Sequence, residues 1–361
     1  MDVVQLERRV ETYFREHAGR YGLHGPDVHA SYRLNPGGFV NASFRVSDGR
    51  VSLFLKLSGW SGADTVQAAA APAVTAQPGT PAASVSSAGF SPTGDAAWPG
   101  DDTRAGLRQW HALADRLTSD YHAPRLVGRI QLEGGPEGLL FEWIDGDTPD
   151  RLSDPLSTEM FAMLDRLHTD EWLARRLPAG RTCADAYARS MHERFVDDLA
   201  HVTRHRPPFV DEARLGWLRA QAAELQMIVA TSPAFRGPAN APVHGDLWLQ
   251  NVLVSGSGQW YLLDWDNLRL GDPVADLATL LGPTRTVIDL TPAPLAVPTY
   301  MDDAALARFE VYRRAVVLDW IIDPLADWIE AAGVPAHTDA VRAEKQATHE
   351  AARALWQRMW G

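Results

Sequence analysis

Residues 241–267, APVHGDLWLQNVLVSGSGQWYLLDWDN, constrain the fold more than any other stretch. They set two short apolar runs, VLV and WYLL, into a half of the chain that otherwise reads as helix. The SGSGQ segment between the runs supplies the turn of a hairpin. Such a hairpin brings the ends of its strands together, so Asp246, Asn251 and Asp264 fall on one edge. Two carboxylates and an amide gathered there form an oxygen-donor site with a base nearby. Magnesium favours oxygen donors, keeps several waters, and needs only one or two protein groups when phosphates supply the rest. Asn251 and Asp264 are therefore the candidate metal-holding residues. Asp246, five positions before Asn251, is the candidate base.

The surroundings of this island divide the chain. Apolar residues at helical spacing run through TEMFAMLDRLH, ARLGWLRAQAAELQMIV, ARFEVYRRAVVLDWIIDPLADWI and AVRAEKQATHEAARALWQRMW. The amino-terminal part begins with an amphipathic helix and continues with SYRL, FVNASFRV and VSLFLKL, alternating runs separated by NPGG and SDGR. A helix is expected from Asp102 to Leu117, then strands through HAPRLVGRI and LLFEWIDG. Between these parts lie residues 61–100, rich in Ala, Pro and Ser and without Lys, Arg or Glu, which read as a mobile insertion. A chain of 361 residues exceeds one ordinary core. The expectation is an α+β fold of two lobes with a cleft between them: a small antiparallel β-rich lobe over 1–143 and a larger, mainly helical lobe over 144–361.

A net charge of −12 argues against binding nucleic acid phosphates. No long apolar run suggests a membrane span, and the amino terminus lacks the pattern of a secretory signal. The single cysteine, Cys183, offers neither an internal disulfide nor a cysteine zinc site. A cytoplasmic location follows as the default. Lysine usage is more telling. Of 34 basic residues only Lys56 and Lys345 are lysines. Lys56 lies in the apolar strand LFLKL, where an ammonium must be paired or aimed at a ligand. Lys345 reads as a solvated residue of an exposed helix.

At this point the sequence resembles the aminoglycoside phosphotransferase and choline kinase superfamily, relatives of the protein kinases. The matching residues are His244, Gly245, Asp246 and Asn251, then Asp264 in LLDWDN, then Gly271, Asp272 and Asp276 in GDPVADLA. The resemblance implies a protein-kinase-like bilobal fold and an ATP- and magnesium-dependent enzyme that phosphorylates a hydroxyl of a small molecule. It implies further that His244 and Asp276 support the catalytic loop, that Lys56 contacts nucleotide phosphates, and that Gly37 and Gly38 in the NPGG turn cover them. Glu142, Trp143 and Ile144 resemble the hinge that holds adenine. One element departs from the pattern. Kinases pair this lysine with a helical glutamate, yet no Glu occurs between Glu16 and Glu133. Asp101 or Asp102 could reach Lys56, or Lys56 could be anchored otherwise. A catalytically silent nucleotide-binding protein of the same fold is the alternative.

No HExxH or GxSxG occurs, which removes the corresponding hydrolases, and LDWDN stands where a protein kinase carries DFG. Tryptophans and aspartates of the helical part suit a cationic acceptor such as an amino sugar, an aminoglycoside or a choline-like alcohol, with a plain sugar as a further candidate. Most of those tryptophans read as core. Trp248 and Asp266, each within two residues of a candidate catalytic group, are the possible substrate contacts.

Overall fold

The computed structural model of the chain describes residues 3–33, 41–58, 99–178, 180–284, 286–290, 301–333 and 338–361. The turn carrying Gly37 and Gly38 lies outside the described residues, as does nearly all of the Ala/Pro/Ser-rich stretch 61–100. Helix α1 (Val3–His17) buries Leu6, Val10 and Phe14, a stripe of period four, against one face of a sheet. Strands β1 (His29–Arg33), β2 (Ala42–Ser47) and β3 (Ser52–Leu57) follow, then α2 (Pro99–Tyr121), β4 (Leu126–Gln131) and β5 (Glu137–Glu142). They form one five-stranded antiparallel sheet in the order β1-β2-β3-β5-β4.

Alternation along β3 decides what each face does. Leu53, Leu55 and Leu57 point to the α1 side with Phe44 and Val46 of β2. Lys56 and Phe54 must then point to the other face, towards α2. In register, Lys56 lies between Ser43 of β2 and Leu139 of β5.

Beyond β5 the chain passes through the two-residue strand β6 (Gly146–Asp147) into a mainly helical part. Helices α3 (Asp154–His168), α4 (Glu171–Ala174) and α5 (Cys183–Tyr187) come first, and a π-type turn (Ala188–His192) leads into α6 (Glu193–His205). Helix α7 (Glu212–Thr231) then precedes the expected island. There β7 (Ala241–Val243), the hairpin β8 (Val252–Ser255) and β9 (Trp260–Leu262), and β10 (Arg269–Gly271) form two small sheets, with β6 added beside β8 and β10 beside β7. Helices α8 (Pro273–Leu280), α9 (Asp303–Glu330) and α10 (Thr338–Trp360) complete the chain. Helix α6 has no counterpart among the elements expected from sequence. Phe195, Leu199 and Val202 are buried on a narrow stripe, and most of the rest is polar or charged.

The architecture is the α+β, kinase-like bilobal arrangement, and its apolar clusters show how the two parts are joined. One cluster lies between α1 and the sheet. Another runs from Trp110 of α2 and Phe141 of β5 through Leu164 of α3 to Val252, Leu262 and Trp265 of the island. The third surrounds α9. Helix α2 thus packs on the island as well as on the sheet. Gly106 makes that approach possible, because a Cβ there would overlap the carbonyl oxygen of Asp266. One turn away, the side-chain amide of Gln109 donates to the Leu268 carbonyl.

This docking sets the sign of a substitution. In a free helix Gly→Ala stabilises by about 0.5–1 kcal/mol, whereas forcing a methyl into a packed contact costs about 1–3 kcal/mol. Gly106→Ala is therefore expected to lower the Tm by a few degrees in thermal denaturation, and an unchanged or higher Tm would contradict the close docking of α2.

Candidate active site

The loop between β7 and β8 carries the candidate base. Its backbone turns at Gly245, where φ is 82°, a region that disfavours side chains. Asp246 follows immediately and is held from several sides. His244 is fully buried. Its Nε2 lies 2.8 Å from the Leu263 carbonyl, and its Nδ1 accepts from the Asp246 amide at 3.3 Å. These partners assign the proton to Nε2. Asp276 on α8 accepts the amide of His244 at 2.8 Å with Oδ2 and that of Gly245 at 2.9 Å with Oδ1. Its Oδ2 also lies 3.1 Å from His168 Nε2 at the end of α3. Asn251 donates its side-chain amide to the main-chain carbonyl of Asp246 at 2.8 Å and to Asp246 Oδ2 at 3.2 Å. Burial, and after it the negative charge of Asp264, push the Asp246 carboxyl above the ordinary range. A carboxylate raised in this way is a better proton acceptor.

Asp264 ends the hairpin in a left-handed conformation, φ 64° and ψ 58°, which a non-glycine residue adopts at a cost. Its carboxylate meets the Lys56 ammonium in an ion pair, and Asp266 Oδ2 lies 2.7 Å from the same nitrogen. Lys56 is buried, with the Trp110 ring centroid 5.9 Å away. Burial works against the charges of Lys56 and Asp264. Their attraction outweighs it, holding the ammonium above and the Asp264 carboxyl below their usual ranges. Asp266 bears the excess: burial first, then Asp264, push it up to about 7. Both carboxylates that face Lys56 thus come from the island. Among the described residues, Lys56 is anchored by Asp264 and Asp266, and Asp266 is directed to that pair. The side chains of Asp101 and Asp102 lie outside the described residues.

Asp246, Asn251 and Asp264 line one cleft of about 380 Å³. Asn251 commits its amide nitrogen to Asp246, so its carbonyl oxygen is the group left for a ligand. Every donor on this edge is an oxygen, which suits a hard cation such as magnesium. Among the described residues no group of three or more His, Cys, Asp or Glu is arranged to hold a metal. A cation here would rely on phosphate oxygens as well.

The far wall of the cleft comes from α9 and α10, through Asp319, Trp320, Asp323 and Lys345. Trp248 meets Trp320 edge to face, with 5.9 Å between ring centroids. Arg194 of α6 pairs with Asp319. Lys345, expected in solvent, is instead largely buried and paired with Asp327. At four-residue spacing it lies in line with buried Val341 and His349, on the face of α10 that packs inward. Trp265 is fully buried, as the core reading of the tryptophans expects. Of the hinge residues, Glu142 is tied to Arg125, its amide donating to that carbonyl at 3.0 Å and its carboxylate accepting from Arg125. The ring of Trp143 is approached by the guanidinium groups of Arg45 at 4.7 Å and Arg33 at 5.5 Å. Sequence reasoning missed His168, whose only signal was a histidine in line with the buried stripe Met160, Leu164 and Leu167. It also missed Arg194.

Residues 31–315 match the sequence profile described as the phosphotransferase enzyme family. The chain belongs to that family. Solved structures share the fold. The GDP complex of an aminoglycoside 2'-phosphotransferase-IIIa superposes with a TM-score of 0.52 at 15% identity, over 96% of this chain and 98% of the other. A choline kinase from Cryptosporidium parvum gives 0.51 at 10% identity, over 97% and 96%. An ethanolamine kinase from Plasmodium vivax gives 0.53 at 13%, over 96% and 88%.

The acidic wall has a consequence for stability. Burial, with the charge of Asp323 next, pushes Asp198 on α6 up to about 8. In the unfolded chain the group ionises near the ordinary value of about 4. The folded state therefore keeps a proton that the unfolded state has released, and this contribution to stability falls as pH rises from about 4 to 8. Asp198→Asn removes the titration. Thermal melts at pH 5 and pH 8 should show a pH dependence of Tm smaller by several degrees in the variant, and an identical dependence would contradict the shift.

Proposed function

We propose that this protein is an ATP- and magnesium-dependent kinase that phosphorylates a hydroxyl group of a small, cationic molecule, an amino sugar, aminoglycoside or choline-like alcohol. The observation that carries the reading is Asp246, oriented by Asn251 and open to the same cleft as Asp264. In this reading Asp246 accepts or orients the proton of the acceptor hydroxyl as its oxygen attacks the terminal phosphorus. Asn251 has two tasks, fixing Asp246 through its amide nitrogen and presenting its carbonyl oxygen, with Asp264, to magnesium. Magnesium, when bound with the nucleotide, neutralises phosphate charge. Lys56 takes the inner phosphates, with Asp266 as the anchor that the missing helical glutamate would have been. Gly37 and Gly38 of the preceding turn cover the phosphates, and main-chain groups of Glu142, Trp143 and Ile144 receive the adenine. His244 and Asp276 hold the loop and do not touch substrate.

The nucleotide reading draws support from family membership and from GDP bound to a protein of the same fold. The acceptor reading draws support from the cleft wall. Trp248 and Trp320 present ring faces and edges beside Asp323, a combination that attracts an ammonium group. The silent-binder alternative was motivated by the missing glutamate, and Asp266 on Lys56 weakens that motive.

Two measurements test this. With a panel of amino alcohols and amino sugars, ATP consumption should depend on acceptor and fall about 10²-fold or more in Asp246→Asn, while nucleotide still raises the Tm of both proteins. Stabilisation by nucleotide without acceptor-dependent turnover across the panel would favour the silent binder. Asp266→Ala should raise KM for ATP roughly tenfold, a loss on the order of 1.4 kcal/mol. An unchanged KM would remove Asp266 from the anchoring role.

A further inference from the structure

Helix α9 presents Asp319, Asp323 and Asp327 at intervals of four residues, so they stand along one face about 6 Å apart. The outer two are already matched by cations of the chain itself. Arg194 reaches Asp319 from α6, and Lys345 reaches Asp327 from α10. Asp323 stands between them and lines the cleft one turn from Trp320, which meets Trp248. Lys345 also lines that cleft, although its side chain is only 12% exposed and that of Asp327 only 6%. Burial disfavours the ammonium, and Asp327 followed by Asp323 more than restores it.

A lysine here is notable in a chain whose 34 basic residues include one other, itself paired beside the candidate base. Arginine on α10 would spread its charge over a planar fork, whereas the lysine ammonium is compact and has the chemistry of a ligand's alkylammonium group.

We propose that Lys345 is a built-in cation of the acceptor cleft. It occupies the place beside Asp327 that a second ammonium of a polycationic acceptor would take, leaving Asp323 to receive one positive charge. Acceptors with a single cationic group are then preferred over those with two. The inference rests on the cationic-acceptor reading above, but it concerns binding alone and is tested without nucleotide.

The test compares two hydroxylated probes by calorimetry at pH 7, ethanolamine with one ammonium and 1,3-diamino-2-propanol with two. Lys345→Met keeps the length of the side chain and removes its charge. The ratio of diamine to monoamine affinity should rise about tenfold in this variant, the size of effect that a close charge contact supports. In the double variant Lys345→Met/Asp327→Asn the gain should disappear, and the double variant also relieves the buried carboxylate that the single variant leaves unpaired. A ratio that is unchanged in Lys345→Met, or that stays raised in the double variant, overturns the proposal while leaving the kinase reading intact. Binding of neither probe by wild type or variant overturns both this proposal and the cationic acceptor. A shifted ratio in a protein without acceptor-dependent turnover keeps the binding inference and sinks the kinase.

Discussion

The Lys56 ammonium ties the sheet to the island of the helical part, and the candidate site is arranged around its two carboxylates. A buried ammonium left alone would cost several kcal/mol, and removing one partner from such a pair is typically destabilising by about 3–5 kcal/mol. The contact therefore couples folding to the geometry of the candidate site. Strand β3 supplies the lysine, the end of the β8-β9 hairpin supplies Asp264, and the short turn beyond it supplies Asp266. Lys56 in particular cannot lose both partners without leaving its ammonium unpaired in a buried site beside Trp110.

That coupling also changes what helix α2 does. A helix bearing the lysine's glutamate would control the site by swinging in and out. Here α2 is packed at Gly106 directly on the turn that holds Asp266. The anchor comes from the same turn as Asp264. Positioning of the lysine and of the candidate metal edge are then a single event, fixed by one loop.

A second node lies behind the base. Asp276 accepts two successive main-chain amides of the loop and stands against His168, while His244 ties Asp246 to Leu263. Each buried polar group here has a partner, the condition under which such a network adds rigidity rather than cost. The acidic face of α9 works on the opposite balance, since Asp319 and Asp327 are raised by burial and by the charge of Asp323 between them. That face keeps unmet demand for positive charge, which the chain meets in part with Arg194 and Lys345.

The sequence by itself determined the hairpin, the grouping of Asp246, Asn251 and Asp264, the strand of Lys56 and the helical character of the rest. Each of these follows from local spacing: period two, period four, a glycine turn, or a fixed offset along a loop. It also determined that a glutamate partner for Lys56 was missing. Only the tertiary structure decided what replaced it, because Lys56 and Asp266 are brought together by the packing of α2 and the island rather than by any local pattern. The same holds for His168 beneath Asp276, for Arg194 on Asp319, and for Lys345, whose partner Asp327 is supplied by the approach of α9. Charges meet where elements pack, and the partner of a buried charge is written in the fold rather than in its neighbours along the chain.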